Sequence, residues 1–92
     1  MKVIGQNLVG RRVREIRMKA GLTQEALAAR CQTQGWDISR GTFSKIEAGL
    51  RRVNDAEVVI LARTLRCTVA DLMEGFTIKA VIAVVRNSES AN

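Results

Sequence analysis

The sequence predicts an all-α domain of five helices, followed by a C-terminal β-strand or arm. Apolar residues recur at three- and four-residue spacing over most of the chain, and residues that start and stop helices bracket these stretches. Proline and tyrosine are absent from the 92 residues, which favours helices over a turn-rich β fold. Apolar residues make up 47% of the chain and charged residues 26%, which is typical of one small globular domain.

The first two helices are predicted over residues 6–19 and 24–31. Gly21 ends the first helix as a left-handed C-cap, and Thr23 begins the second as an N-cap. Apolar residues predicted to face the core are Leu8, Val9, Val13, Ile16 and Ala20 in the first helix, and Leu27, Ala28 and Cys31 in the second.

A polar connection over residues 32–37 leads to a third helix, predicted over residues 40–48. Ser39 is its N-cap and Gly49 ends it. Trp36 lies in the connection, where we expect it to cover the junction of the second and third helices, with base stacking as the alternative. The inward residues of this helix are Phe43 and Ile46.

The fourth helix is predicted to run to residue 66, and a short fifth helix to residue 74. Asn54 with Glu57 three residues later is a variant of the capping box, and Thr68 caps the fifth helix. The predicted inward residues are Val58, Leu61, Ala62, Leu65 and Leu72.

The last segment changes in character after Gly75. Six of the ten residues in 76–85 are β-branched, and such residues favour strands. We therefore predict two units, a helical domain over residues 1–75 and a strand or arm within residues 76–92.

Positive charge is concentrated in the first half of the chain. The net charge is +6, and residues 1–52 carry eleven Lys and Arg against four Asp and Glu. A basic half on a small domain favours a polyanionic partner, and a solvated basic face is the alternative.

The residue types argue against catalysis and metal binding. Histidine is absent, and there is neither a glycine-rich phosphate loop nor a nucleophile beside a base, so we expect no enzyme, no cofactor and no metal. We expect Cys31 and Cys67 to be buried thiols, with a disulfide or a redox role as the alternative. No signal-peptide pattern or membrane-length apolar run occurs, which favours a cytoplasmic protein without membrane contact.

Two short helices around a connection, within a basic helical domain, indicate a helix-turn-helix. Within this region the chain carries a recognisable set of residues: Gly10, Val13, Ile16, Arg17, the run Gly21-Leu22-Thr23-Gln24-Glu25, Leu27-Ala28, Ile38-Ser39, the run Phe43-Ser44-Lys45-Ile46-Glu47, Gly49, Arg51, Leu61-Ala62 and Leu65. With these residues the sequence resembles the XRE family of Cro/cI-type, lambda-repressor-like DNA-binding domains over roughly residues 8–74. It departs from the family in a connection around residues 32–37 that is about five residues longer than usual.

This resemblance implies double-stranded DNA as the partner, with the third helix in the major groove. Arg40 and Lys45 are then expected to donate to guanine edges, with a phosphate as the alternative for Lys45. Gln24 corresponds to a phosphate-contacting glutamine of the family. The expected DNA-binding residues are Gln24, Ser39, Arg40, Gly41, Thr42, Ser44, Lys45, Arg51 and Arg52, and the resemblance further implies a structural salt bridge between Arg17 and Glu47, in which Arg17 is also within reach of a phosphate.

Two such domains usually act together, because two recognition helices then meet successive major grooves roughly 34 Å apart. We expect a homodimer in which the strand pairs with its copy or exchanges as an arm, since an exposed apolar edge is a liability for a monomer. A strand or sixth helix folded back on its own domain is the alternative. The expected dimerisation residues are Phe76, Ile78, Val81, Ile82 and Val84, with Val85 on the same strand.

These features predict a sequence-specific transcriptional regulator, acting as a dimeric repressor. The alternative, from a different class, is an antitoxin-type module whose tail captures a protein partner while the helix-turn-helix regulates its own expression.

Overall fold

A computed structural model describes residues 5–90, and within this range the chain is built from helices and their connections. The helices are α1 (Gly10–Lys19), α2 (Gln24–Thr33), α3 (Arg40–Glu47), α4 (Asp55–Leu65), α5 (Val69–Leu72) and α6 (Ile78–Ser90). Helices α1 to α5 enclose one core, and α6 lies on its outside. In the described part of the chain no helix is both long enough and apolar enough to span a bilayer.

Side-chain caps fix where four of the helices begin. Thr23, Ser39, Asn54 and Thr68 have extended backbones, and each side-chain oxygen accepts a hydrogen bond from the backbone N–H three residues later. The caps of α4 and α5 are reciprocal, because Glu57 and Asp71 accept from the N–H of the cap residue in return. The predicted starts of these helices are confirmed, and each cap stabilises its helix by about 1 kcal/mol.

Helix α1 begins four residues later than predicted, at Gly10. The segment before it is held in another geometry, because the Gln6 N–H donates to Gly49 O at 2.9 Å. Asn7 Oδ1 then accepts from the Gly10 N–H at 2.7 Å. Residues 5–8 therefore run across the end of α3 instead of extending α1.

The core draws on all five inner helices. Phe43 and Ile46 of α3 are fully buried, as predicted, together with Val13, Leu27, Leu61 and Leu72. Cys31 and Cys67 are free thiols, the first buried and the second half-buried. Burial raises the pKa of both thiols, which keeps them protonated near neutral pH.

The connection between α2 and α3 is folded against the domain. Its Trp36 packs against the core and lies 5.9 Å from the guanidinium carbon of Arg51, measured to the ring centroid. Gln32 Nε2 donates to Ile38 O at 2.9 Å, and Gly35 supplies the left-handed turn at φ +97°. Trp36 therefore covers the junction of α2 and α3, as expected, and α2 runs two residues further than predicted.

The predicted strand over residues 76–85 is wrong, because this segment forms most of α6. A strand would need a neighbour to pair its backbone, whereas a helix satisfies its own N–H and C=O groups. Strand pairing or a strand arm between copies is therefore also wrong, and the alternative of a sixth helix folded back is confirmed. Asn87 Nδ2 donates to Gly5 O at 3.0 Å, and Arg52 donates to Ser88 O at 2.9 Å.

Candidate nucleic-acid interface

Helix α3 has one buried face and one exposed face. Phe43 and Ile46 anchor it in the core, while Arg40, Ser44 and Lys45 project outward and are exposed. Neither the Arg40 guanidinium nor the Lys45 ammonium has a hydrogen-bond or ion-pair partner among residues 5–90. The outward face thus presents two unneutralised cations from one short helix.

The first turn of α3 is held by its own hydroxyl groups. Ser39 Oγ accepts from the Thr42 N–H at 3.1 Å and lies 3.0 Å from Thr42 Oγ1, to which it donates. The Thr42 hydroxyl keeps its own proton for another acceptor. Gly41 is exposed in the same turn. Because glycine has no side chain, a partner molecule can approach the backbone of α3 closely at this position.

Glu47, at the end of α3, is the centre of a buried polar network. Its carboxylate accepts two hydrogen bonds from Arg17, Nε to Oε2 at 2.7 Å and an Nη to Oε1 at 2.9 Å. The side chains of Arg17 and Glu47 are only 11% and 3% exposed. Arg17 also donates to Leu22 O at 2.8 Å, and its hydrogen bonds to Glu47 raise the pKa of Arg17 further above neutrality. The network fixes α3 against α1 and the turn that follows α1.

Gln24, the first residue of α2, joins the same network. Its Nε2 donates to Glu47 Oε1 at 3.0 Å, which leaves the second amide hydrogen for another acceptor. Gln24 lies on a concave surface with Thr23, Glu25, Arg17 and Arg40. The free N–H groups at the start of α2 favour an anion there, whereas the Glu25 carboxylate opposes one.

Arg51 is engaged inside the protein. Its guanidinium makes two hydrogen bonds to Glu57, at 3.0 and 3.1 Å, and a third to Arg52 O at 2.7 Å. Burial alone would raise the pKa of Glu57, but hydrogen bonds from Arg51 and from the Asn54 backbone outweigh it and lower this pKa. The charge of Arg51 is therefore balanced by Glu57, unlike that of Arg40.

Arg52 is exposed at the linker between α3 and α4. One of its guanidinium nitrogens donates to Ser88 O near the end of α6. The other N–H groups of this guanidinium remain available to other acceptors. Arg52 thus connects the linker to α6.

Two residues that position α3 were not predicted as site residues. Asn7 Nδ2 donates to Ile46 O at 3.1 Å and to Arg51 O at 2.8 Å. A Cβ on Gly10 would lie 2.1 Å from Ile46 O, so the start of α1 is in direct backbone contact with the end of α3. The sequence signal for Asn7 is its cap-like spacing, three residues before the first turn of α1, and Gly10 stands among the residues that carry the family resemblance.

The residues expected to mediate dimerisation divide between two faces of α6. Val81 and Val84 are half-buried, and Val84 lines the concave surfaces between α6 and residues 5–8. Ile78, Ile82 and Val85 are exposed at 75%, 41% and 47%, and Phe76 at 39% in the preceding connection. Their spacing places Ile78, Ile82 and Val85 in one outward apolar stripe.

A family profile described as a helix-turn-helix domain matches residues 8–74. The match covers α1 to α5 and contains Arg17, Gln24, Glu47, Arg51, Arg52 and the whole of α3, while Asn7 and α6 lie outside it. No match was found among curated proteins or among solved structures. Among the residues that the structure describes, no group of His, Cys, Asp or Glu is arranged to hold a metal ion.

Proposed function

The chain belongs to the helix-turn-helix domain family, and from this premise we propose that it is a sequence-specific regulator of transcription that binds double-stranded DNA. The observation that carries the proposal is the outward face of α3. Arg40 and Lys45 are exposed there without partners among residues 5–90, while Glu47 on the same helix is buried in a network that fixes the angle of α3. A helix held in this way suits insertion into the major groove.

In this proposal, Arg40 and Lys45 face the bases, whereas Gln24 and the start of α2 contact the DNA backbone. Arg40, at the first position of α3, donates to O6 and N7 of a guanine, and Lys45 reaches a base edge or a phosphate one turn later. Gly41 allows the helix to approach closely. Gln24 and the start of α2 hold a backbone phosphate, which sets the register of the domain on the duplex.

We further propose that the protein represses transcription by occupying DNA that polymerase needs, in the cytoplasm and without catalysis of its own. The support is the outward face of α3, where the Arg40 and Lys45 side chains are donors suited to anions, while the Glu47 carboxylate is held by Arg17 and Gln24.

Replacing Arg40 by alanine tests the base-reading role. Arg40→Ala should lose about 1–3 kcal/mol of discrimination between a selected site and random DNA, which is roughly 5- to 150-fold. The site is obtained by selection from a random duplex pool, and both affinities are measured by fluorescence anisotropy at one salt concentration. Lys79→Ala removes the same charge from the exposed side of α6 and should leave the ratio unchanged.

Equal losses on selected and random duplexes would refute the role of Arg40 as a base reader. Failure of the unmodified chain to bind any duplex at low ionic strength would refute the proposed function as a whole.

We propose that the active form is a homodimer whose copies meet through the outward stripe of α6. Ile78, Ile82 and Val85 form an apolar surface that water would otherwise cover, and a two-fold axis can pair this stripe with itself. A second copy also supplies the second recognition helix that a two-fold site requires. This contact between helices takes the place of the strand pairing that the structure excludes.

A charge placed in the stripe tests the dimer. Ile82→Glu should weaken self-association at least tenfold, measured by sedimentation equilibrium, because the dimer would bury an unpaired carboxylate. Ala83→Glu adds the same charge at the next residue, which is exposed at the concave surface facing residues 5–8 and not in the stripe, and it should associate like the unmodified chain. A chain that stays monomeric at all concentrations contradicts the dimer, and equal association of both variants contradicts the stripe as its surface.

A further inference from the structure

A second cationic surface lies where α2 and α4 end. Arg30 in the last turn of α2, Arg63 in the last turn of α4 and Arg66 just after α4 line one concavity of about 200 Å³. Thr33, Gln34 and Thr64 complete its lining. We refer to these six residues as the arginine cleft.

The arginine cleft carries charge that the described residues leave unbalanced. Arg30 is half-buried and donates to Thr64 O at 3.1 Å, which orients its guanidinium at the base of the cleft. Arg63 and Arg66 are exposed, and no hydrogen bond or ion pair within residues 5–90 engages their guanidinium groups. The lining holds no carboxylate. Arginines stabilise helix C-termini in general, but that interaction alone leaves their N–H groups free for an anion.

The backbone at Arg66 is unusual. Arg66 has φ 57° and ψ 43°. Among residues 5–90, no other residue except glycine has a positive φ. Glycine is the usual residue for this left-handed position after a helix. A strained arginine beside two other arginines suggests that its side chain serves a purpose other than ending the helix.

The cleft is remote from the outward face of α3. Gln24 begins α2 next to Glu47, and Thr33 at the other end of the same helix is about 14 Å away along the axis. The arginine cleft therefore lies at the end of α2 opposite to the end that contacts Glu47.

We propose that the arginine cleft binds the phosphate backbone of a second DNA segment. Three guanidinium groups with a neighbouring hydroxyl and amide match the oxygens of a phosphate, to which arginine binds through two parallel hydrogen bonds. All six lining residues are polar, whereas the centre of a protein interface is usually apolar. This favours DNA backbone over an acidic protein. The inference goes beyond the proposed function, because a duplex can bind here whatever α3 contacts.

The test is a chemical-shift titration of the full ¹⁵N-labelled chain with a short duplex at low salt. The unmodified chain should show one set of shifts in α3, and with excess duplex a second, weaker set at residues 30–34 and 63–66. Arg63→Ala combined with Arg66→Gly should weaken the second set at least tenfold and leave the first unchanged. Glycine suits the left-handed position, so this variant should keep its fold.

A matched variant, Arg14→Ala with Lys79→Ala, removes two exposed charges elsewhere and should leave both sets as in the unmodified chain. Shifts at the cleft without shifts in α3 would support the cleft and contradict the proposed function. Shifts in α3 alone at every duplex ratio would overturn the cleft, as would equal weakening in both variants. Shifts at the cleft with an oligoglutamate peptide but not with duplex would assign it to an acidic protein and overturn the proposal.

Discussion

Replacing Glu47 by alanine should destabilise the domain by about 3–5 kcal/mol, the expected cost of leaving a buried charge without its partner. Arg17 donates two hydrogen bonds to this carboxylate and is 11% exposed, so water cannot replace the lost acceptor without local opening. Gln24 loses its acceptor as well. The measurement is urea unfolding followed by the fluorescence of Trp36, the single tryptophan of the chain.

Two controls separate burial from charge. Glu25→Ala removes an exposed carboxylate from α2 and should change the free energy of unfolding by less than about 0.5 kcal/mol. Arg17→Met combined with Glu47→Leu removes both charges and should recover most of the loss, because apolar residues of similar size often replace a buried ion pair without cost. A loss below about 1 kcal/mol for Glu47→Ala would show that the network does not hold α3.

Gly10→Ala should destabilise the domain by about 1–3 kcal/mol or more, although alanine is the better helix former. The added Cβ would lie 2.1 Å from Ile46 O and 2.9 Å from Asn7 Oδ1. A backbone carbonyl cannot yield as the end of a flexible side chain can, so α1 and α3 must separate and the hydrogen bonds of Asn7 must break. Duplex affinity should fall even where most of the protein remains folded, because α3 changes its angle.

Gly41→Ala is a control that should change the stability of the domain in the opposite direction. Gly41 is helical, and the nearest atom to its added Cβ is Ser39 Oγ at 3.9 Å, so alanine should stabilise the domain by roughly 0.5–1 kcal/mol. Stability is measured by the same urea unfolding. If Gly10→Ala also stabilises the domain, the close contact between α1 and α3 does not exist in solution.

The helices of the family domain were predictable because their starts depend on local chemistry. Thr23, Ser39 and Asn54 act within one turn, so three or four neighbouring residues determine the outcome. The start of α1 was predicted wrongly because a distant partner decides it: Gln6 donates to Gly49, and Asn7 donates to Ile46 and Arg51. Contacts across some forty residues leave no periodic trace in the sequence.

Helix α6 shows where residue propensity fails. Six of the ten residues in 76–85 are β-branched, yet the same apolar residues also fall at helical spacing, and a short apolar run fits both patterns. Tertiary context decides, because the helical domain offers no sheet edge for a strand within the described residues. Thr77 then caps the helix, with its hydroxyl accepting from the Ala80 N–H at 3.1 Å.

The candidate site was predictable in its residue types but not in its pairing. The exposure of Arg40 and Lys45 follows from the helical positions of Phe43 and Ile46, which are fixed by their burial. The engagement of Arg51 by Glu57 could not be predicted, because neighbouring arginines in a linker look alike in sequence. The arginine cleft arises from two helix ends that only the tertiary fold brings together.

Because α6 lies outside the core, we expect it to unfold locally at a lower free energy than the domain formed by α1 to α5. The buried apolar side chains of the described chain lie between Val9 and Leu72, so α6 can open while the core stays closed. We expect its amide hydrogens to exchange with solvent through sub-global opening, before those of α4. A molecule that covers the outer side of α6 therefore acts on a local equilibrium, and it can order this helix without altering the free energy that holds α3 in place.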